Sequence, residues 1–126
     1  MDRQIYASDW KVLECLWEES PQTLMQLVRT LSREVGWSKS TVATMVKRME
    51  AKGLLRFEEG EKARRIYPAL TREEASSAET NTLINKVFHG SPGLLMASLI
   101  GQSTLTKEEI DGLYAMLRKA EEKRDA

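Results

Sequence analysis

The hydrophobic pattern changes its period at Gly53, and this change most constrains what the chain can fold into. Before Gly53, apolar residues recur at helical spacing in three segments. After it, two short strand-like runs, Leu54–Glu58 and Ala63–Tyr67, flank a predicted turn at Gly60. Three more helices are predicted beyond Pro68. Three helices followed by a two-stranded hairpin are typical of a winged helix-turn-helix, so we predict a mainly α fold with a small β-hairpin wing.

Capping residues locate the helices before the hairpin. Ser8 and Ser38 are predicted N-caps, because a serine hydroxyl accepts a hydrogen bond from an otherwise unpaired helix amide. Thr23 is predicted to start the second helix, and Gly36 to end it in the left-handed conformation. The third helix, predicted over Lys39–Lys52, therefore follows a short turn, as the second helix of a helix-turn-helix does.

The third predicted helix has two chemically different faces. The apolar face has the spacing i, i+3, i+4, i+7 and is expected in the core; it consists of Val42, Met45, Val46 and Met49. The opposite face is small, polar and cationic, which suits close approach to a DNA major groove; it includes Ser40, Thr44, Lys47 and Arg48. At the start of the helix, Ser38, Ser40 and Thr41 offer amides and hydroxyls to a phosphate. Arg48 is expected to point away from the core, so its replacement should leave the fold intact.

The charge of the chain excludes binding to nucleic acid by bulk attraction. Nineteen Lys and Arg residues balance nineteen Asp and Glu residues, so contact with DNA requires a local patch. Residues 36–66 form the most basic window, with eight basic and four acidic side chains. In the predicted wing, Lys62, Arg64 and Arg65 are candidate phosphate contacts. Glutamates at the tip of the wing would repel phosphates, so contact between the wing and DNA is left open.

The last 56 residues carry more apolar side chains than three short helices can bury alone. We therefore predict a homodimer and divide the chain into a winged helix-turn-helix DNA-binding domain, residues 1–70, and a helical dimerisation domain, residues 71–126. The candidate interface residues are Leu83, Val87, Phe88, Leu95, Leu99, Ile110, Leu113 and Leu117. A two-fold dimer with one recognition helix per subunit is expected to bind an inverted repeat in double-stranded DNA.

Other classes of function lack the residues that they require. Cys15 is the single cysteine and His89 the single histidine, so neither a disulfide nor a zinc site of the usual ligands is expected. No catalytic pair, nucleophile–base set or phosphate-binding glycine loop is recognisable, so we expect no enzyme activity and no cofactor. No apolar run approaches the roughly 20 residues that span a bilayer, and the first residues lack a signal-peptide stretch. A cytoplasmic protein is therefore expected.

Five sequence runs carry a family resemblance. The most specific is Trp37–Thr44, and Ala7–Trp10, Arg64–Pro68, Asn85–Gly90 and Leu105–Ile110 accompany it. With these runs the chain resembles the penicillinase-repressor family of winged-helix regulators (BlaI, MecI, CopY) along nearly its whole length. The resemblance implies a dimeric transcriptional repressor of short TACA/TGTA dyads. It assigns the contacts of the recognition helix to Ser40, Thr41, Ala43, Thr44 and Arg48.

The resemblance also bears on how the protein is switched. The copper-responsive branch of the family senses metal through C-terminal Cys-x-Cys pairs, which a lone Cys15 cannot supply. The β-lactam branch is inactivated by cleavage of an Asn-Phe bond in the short fifth helix, and Ser98 and Leu99 occupy that position here. Ser98-Leu99 is thus the candidate cleavage site, served by a membrane sensor-protease pathway without direct membrane contact by this chain.

Two alternatives of other classes remain open at this point. A winged helix can be a protein-interaction module whose third helix binds a protein, although the basic outer face of the helix favours DNA. A MarR-like regulator would hold a small ligand between its two domains, which a sequence does not reveal. A DNA-binding assay with a salt titration separates the first alternative from a repressor.

Overall fold

The computed structural model describes residues 4–125, which form six helices and one two-stranded antiparallel sheet. The predicted order of three helices, a hairpin and three helices is confirmed, and so is the fold class. The elements are α1 Ala7–Glu18, α2 Leu24–Val35, α3 Lys39–Ala51, β1 Leu55–Glu58, β2 Arg65–Pro68, α4 Arg72–Val87, α5 Pro92–Gln102 and α6 Lys107–Asp125. None of the helices in this described part is long and apolar enough to cross a membrane.

The chain forms two compact units, the first ending at Thr80 and the second beginning at Asn81. Helix α4 crosses this division without a break. The structural division lies later than the predicted one after residue 70, because Ala75 is fully buried in the core of the first unit. The assignment of the two parts to DNA binding and dimerisation stays a prediction.

The core of the first unit lies between α1, α2, α3 and the hairpin. The inward face predicted for α3 is confirmed, since all four of its apolar residues are buried. They pack in one cluster with the other fully buried large side chains of the unit, Val12, Leu13, Leu16, Leu27, Leu31 and Leu54. Burial of this kind is the main stabilising contribution, at about 25 cal/mol per Å² of apolar surface removed from water.

Local signals fix the helix-turn-helix. The hydroxyl of Thr23 accepts a hydrogen bond from the Gln26 amide, while the Gln26 side chain accepts one from the Thr23 amide, so α2 starts with a capping box. Gly36 ends α2 at φ 72°, as predicted, and Ser38 caps α3 by accepting from the Thr41 amide at 3.2 Å. These caps hold α3 at the orientation that exposes its polar face.

The prediction that Ser8 caps α1 is wrong. Helix α1 begins at Ala7, two residues earlier than an N-cap at Ser8 predicts, and Tyr6 precedes it in extended conformation. The Tyr6 amide donates to the Asp9 carboxylate at 2.9 Å, so a side chain inside the first turn satisfies the helix start. The Asp9 carboxylate is therefore already engaged at the beginning of α1.

The hairpin pairs Leu55 with Pro68 and Glu58 with Arg65. Gln22, ahead of α2, forms an isolated antiparallel bridge with Ile66, so the hairpin is fixed to the helical part of the unit. Strand β1 begins one residue later than predicted, and β2 begins two residues later and ends one residue later, which is the usual uncertainty of element ends. The result is a short wing that lies beside α3.

The three tryptophans pack against the core of the first unit. Trp10 and Trp17 meet edge to face, with ring centroids 5.4 Å apart. The Trp17 indole N–H donates to the Leu70 carbonyl at 3.0 Å, and the Arg72 guanidinium lies 4.9 Å from the centre of its ring. Trp37 is half-buried in the turn between α2 and α3. All three rings are partly buried against the core cluster, in agreement with a core role.

Candidate nucleic-acid interface

The outward face of α3 is uncovered in the first unit. Ser40, Thr44 and Lys47 are exposed, and Ala43 is half-buried beside them. Because these side chains are short or flexible, a groove wall can approach the helix closely. The structure thus brings the predicted α3 residues onto one accessible surface.

Hydroxyl groups cluster at the N-terminus of α3. The Ser38 hydroxyl oxygen lies 3.1 Å from both the Ser40 and the Thr41 hydroxyl oxygens, and all three residues are exposed. The helix dipole adds partial positive charge at this end. An anionic oxygen placed here would meet hydroxyl donors and backbone amides together, which is the arrangement predicted for a phosphate contact.

Arg48 is bound to helix α1, a contact that its predicted position away from the core did not reveal. That the fold survives its replacement stays a prediction. The Nη2 of Arg48 donates to the Asp9 Oδ1 at 3.0 Å and lies 3.4 Å from the Ser8 hydroxyl. The same nitrogen is 3.2 Å from the Met45 sulfur, and the guanidinium carbon is 5.7 Å from the centre of the Tyr6 ring. The side chain nevertheless keeps 45% of its surface exposed.

Asp9 is a functional candidate that the sequence interpretation missed. Its side chain is fully buried, and its other oxygen, Oδ2, accepts from Lys52 Nζ at 2.5 Å. Burial alone would raise the pKa of Asp9, but hydrogen bonds from Lys52, the Tyr6 amide and Arg48 hold the pKa below its ordinary value. A charged carboxylate therefore lies under the outward face of α3 and sets the position of two cations.

The wing presents cations that lie along aromatic rings. The Arg64 guanidinium is 4.0 Å from the centre of the Phe57 ring, and Arg56, which the sequence interpretation did not single out, is 4.1 Å from that of Tyr67. Arg65 donates to the Glu59 carbonyl at 3.4 Å. Lys62, Arg64 and Arg65 are all exposed, so each of the three predicted wing cations is accessible.

An open groove of about 550 Å³ separates α3 from the wing. Lys47 lines it on the helix side and Arg64 on the hairpin side, with Phe57 between them. Glu50 also lines the groove, so its charged lining is two cations and one carboxylate, a net positive charge that favours a negatively charged chain. The groove thus connects Ala43 and Lys47 of α3 with Arg64 of the wing in one candidate surface.

In the second unit, the described residues 81–125 include no buried side chain. Eleven large hydrophobic residues of this unit, on α4, α5 and α6, are at least 40% exposed. Of the predicted interface, Phe88 and Leu95 are half-buried, and the exposed members are Leu83, Val87, Leu99, Ile110, Leu113 and Leu117. Ser98 and Leu99, the candidate cleavage pair, lie inside α5, with Leu99 54% exposed.

A winged helix with an uncovered polar and cationic third helix and a cationic hairpin defines a DNA-binding transcription regulator. The family model described as Penicillinase repressor matches residues 5–119. The chain belongs to this family of transcriptional repressors. The resemblance inferred from the sequence motifs is thereby confirmed.

Several relatives share nearly the whole length of the chain. The methicillin resistance regulatory protein MecI of Staphylococcus aureus (strain N315) is 22% identical over 122 residues, which are 94% of this chain and 99% of the relative. The penicillinase repressor of Bacillus licheniformis is 22% identical over 116 residues, 92% of this chain and 91% of that protein. An uncharacterized 16.5 kDa protein of Latilactobacillus sakei is 30% identical over 115 residues, 90% and 78% of the two chains.

The solved structures similar to the chain include two of the repressor BlaI. Its DNA-binding domain superposes with a TM-score of 0.53 at 24% identity, covering 57% of this chain and 88% of that one. The monomeric Bacillus licheniformis BlaI in complex with the blaP half-operator gives a TM-score of 0.52, with coverage of 56% and 87%. Both likenesses support the winged-helix fold.

Proposed function

We propose that this protein is a homodimeric transcriptional repressor that binds a short inverted-repeat operator in double-stranded DNA. The carrying observation is the exposed outward face of α3, where Ser40, Thr44 and Lys47 lie on a helix that the core holds from behind. A helix presented in this way enters the major groove in helix-turn-helix proteins. The BlaI relative bound to a half-operator supports the same use of this fold.

The dimer is supported by the second unit. A unit of 45 described residues without a buried side chain cannot hold its helices by its own core. Association of two copies through the exposed apolar residues of α4, α5 and α6 would remove this surface from water. Two winged helices in one dimer would then bind two half-sites related by a two-fold axis, as TACA/TGTA dyads are.

We propose that the repressor is released from the operator by proteolytic cleavage within its second unit. The Ser98-Leu99 bond lies within α5, so a protease of a membrane sensor pathway would cut it only after α5 opens locally. Cleavage would detach α6, weaken the dimer and reduce the effective concentration of the second winged helix at its half-site. Because the partner is chromosomal DNA, this mechanism belongs to the cytoplasm.

The test begins with selection of bound sequences from a random pool of DNA duplexes by the full chain. An enriched inverted repeat is expected, with affinity that falls steeply as salt rises. In fluorescence anisotropy, Lys47→Ala should weaken binding to the selected duplex. The charge-matched control Lys119→Ala, on α6, should leave it unchanged. Enrichment of no inverted repeat, or equal effects of the two variants, would refute the proposal.

A further inference from the structure

The buried pair of Asp9 and Arg48 limits how Arg48 can contact DNA. The guanidinium has two edges that present two parallel N–H groups, one formed by Nη1 with Nη2 and the other by Nε with Nη2. Both edges contain Nη2, each through a different one of its two hydrogens. A bidentate contact to guanine, the commonest specific contact of arginine, needs one of these edges intact.

Nη2 is the guanidinium nitrogen that already contacts acceptors within the protein. It carries two hydrogens, and three acceptors surround it: Asp9 Oδ1 at 3.0 Å, the Met45 sulfur at 3.2 Å and the Ser8 hydroxyl at 3.4 Å. In the described part of the chain, Nη1 and Nε have no such contact, and the side chain is 45% exposed. Arg48 can therefore offer Nη1 and Nε outward as single donors, whereas a complete two-donor edge requires Nη2 to share or give up a contact made within the fold.

If Arg48 broke its contact with Asp9 to free an edge of the guanidinium, the change would be unfavourable. The Asp9 side chain is fully buried, so loss of Arg48 would leave its Oδ1 without its charged partner, away from water. Lys52 occupies the other oxygen. The position of Arg48 agrees with this restriction, since it lies in the last turn of α3, whereas residues near the start of a recognition helix contact base edges.

We propose that Asp9 is a positioning residue that holds Arg48 as a clamp on a backbone phosphate and prevents it from selecting a base. This inference rests on the proposed DNA binding and adds the role of one cation to it. Sequence preference then comes from the earlier part of the helix, at Ser40 and Thr44, with Ala43 between them. Arg48 contributes affinity to every duplex alike.

The experiment compares Arg48→Lys, Arg48→Ala and Thr44→Ala with the unchanged full chain, by anisotropy on the selected operator, on single-base variants of it and on a scrambled duplex. Lysine provides a point charge without the two-donor edge, so Arg48→Lys should keep the base preference at every position. Arg48→Ala should weaken binding to operator and scrambled duplex by the same factor, roughly tenfold or more, and reduce the salt slope by about one phosphate. Thr44→Ala should change preference at an operator position.

The link to Asp9 is tested by a double-mutant cycle. Asp9→Asn should weaken DNA binding in the unchanged chain and have no further effect on binding in the Arg48→Ala background, which a general loss of stability would not produce. If the Asp9 variants do not fold, the base preference of Arg48→Lys, measured by anisotropy, is the remaining test of the inference. Loss of a guanine preference in Arg48→Lys would overturn the inference while leaving the repressor proposal standing. Absence of DNA binding by the unchanged chain would overturn both.

Discussion

At the scale of single residues, the least replaceable side chain of the first unit is a charged one. Asp9 is fully buried, yet it accepts hydrogen bonds from a backbone amide and from two cations of α3. Taking the carboxylate out of water is costly, and only this complete set of donors offsets the cost. The start of α1 and the end of α3 are thus joined through one buried carboxylate and two cations.

Replacing Asp9 by alanine should therefore destabilise the protein strongly. Lys52, whose side chain is 14% exposed, would lose its buried partner, whereas Arg48, 45% exposed, can be hydrated instead. The loss should therefore lie at or below the lower end of the roughly 3–5 kcal/mol that breaking a buried ion pair typically costs. Urea unfolding of the full chain, followed by the signal of the first unit, measures the loss. Glu14→Ala is the matched control, because Glu14 pairs with Arg72 at 2.7 Å on the surface, where both side chains are nearly half exposed. A loss equal to that of the control would contradict the assignment.

The same carboxylate should make stability depend on pH in the acid range. The folded pKa of Asp9 lies below the ordinary value of 3.8, so the unfolded chain binds the proton more readily. The contribution of Asp9 is therefore fully present above that ordinary pKa, and it is lost as the pH falls through the folded pKa. Melting temperatures of the unchanged chain and of Asp9→Asn, measured from about pH 6 to pH 2, should converge on acidification. A constant difference would contradict the expectation.

The position of Arg48 explains why the sequence pattern could not predict its contact with Asp9. The helical period places Arg48 opposite the core, and that placement is correct for its backbone. A long side chain can reach back past the helix edge, however, and its partner lies 39 residues earlier in the chain. Helical periodicity predicts the direction in which a side chain leaves its helix, but it does not predict a contact with a residue far away in the sequence.

At the scale of elements, the segments that follow local rules were predictable. Gly36 ends α2 and Ser38 starts α3 because each signal acts within one helical turn. The capping box of Thr71 and Glu74 starts α4 for the same reason. Ser8 does not cap α1 because it lies inside the first turn, where Asp9, the next residue, accepts from the Tyr6 amide and is itself held by α3.

Helix α5 is expected to be the element that opens most easily. It is 11 residues long, contains Gly93 and Gly101, and has no buried residue. Gly101→Ala meets no atom within 4 Å of the added Cβ and should stabilise the helix by about 0.5–1 kcal/mol. Limited proteolysis with mass spectrometry should therefore show slower cleavage within α5.

The contrasting variant lies just before α5. Gly90 has φ 79°, a conformation that alanine adopts with strain, so Gly90→Ala should not slow cleavage in the same way. Equal cleavage rates in Gly101→Ala and the unchanged chain would show that opening of α5 does not limit access to Ser98-Leu99.

At the scale of the whole molecule, the point of truncation matters. A chain cut after residue 70 loses Ala75 from the core and the Arg72–Glu14 pair. A chain cut after Thr80 keeps both and retains the whole first unit. We expect the longer fragment to be a folded monomer that binds a half-site weakly, because only one winged helix is then available to the operator.

Sedimentation and anisotropy measure the two properties of this fragment separately. The full chain should sediment as a dimer at concentrations where the fragment is monomeric. The fragment ending at residue 70 should be less stable than the one ending at Thr80 in urea. A dimeric fragment 1–80 would place the interface in the first unit and refute the proposed use of α4, α5 and α6.

The distribution of the tryptophans gives the two units different optical signals. All three indole rings lie in the first unit, and Trp17 is held by the Leu70 carbonyl just before α4. Intrinsic emission excited at the red edge of indole absorption therefore reports on the winged helix alone. Far-ultraviolet circular dichroism includes α5 and α6 as well. Loss of ellipticity before any shift in emission would mean that the second unit melts first. The experiment needs neither a label nor a mutation.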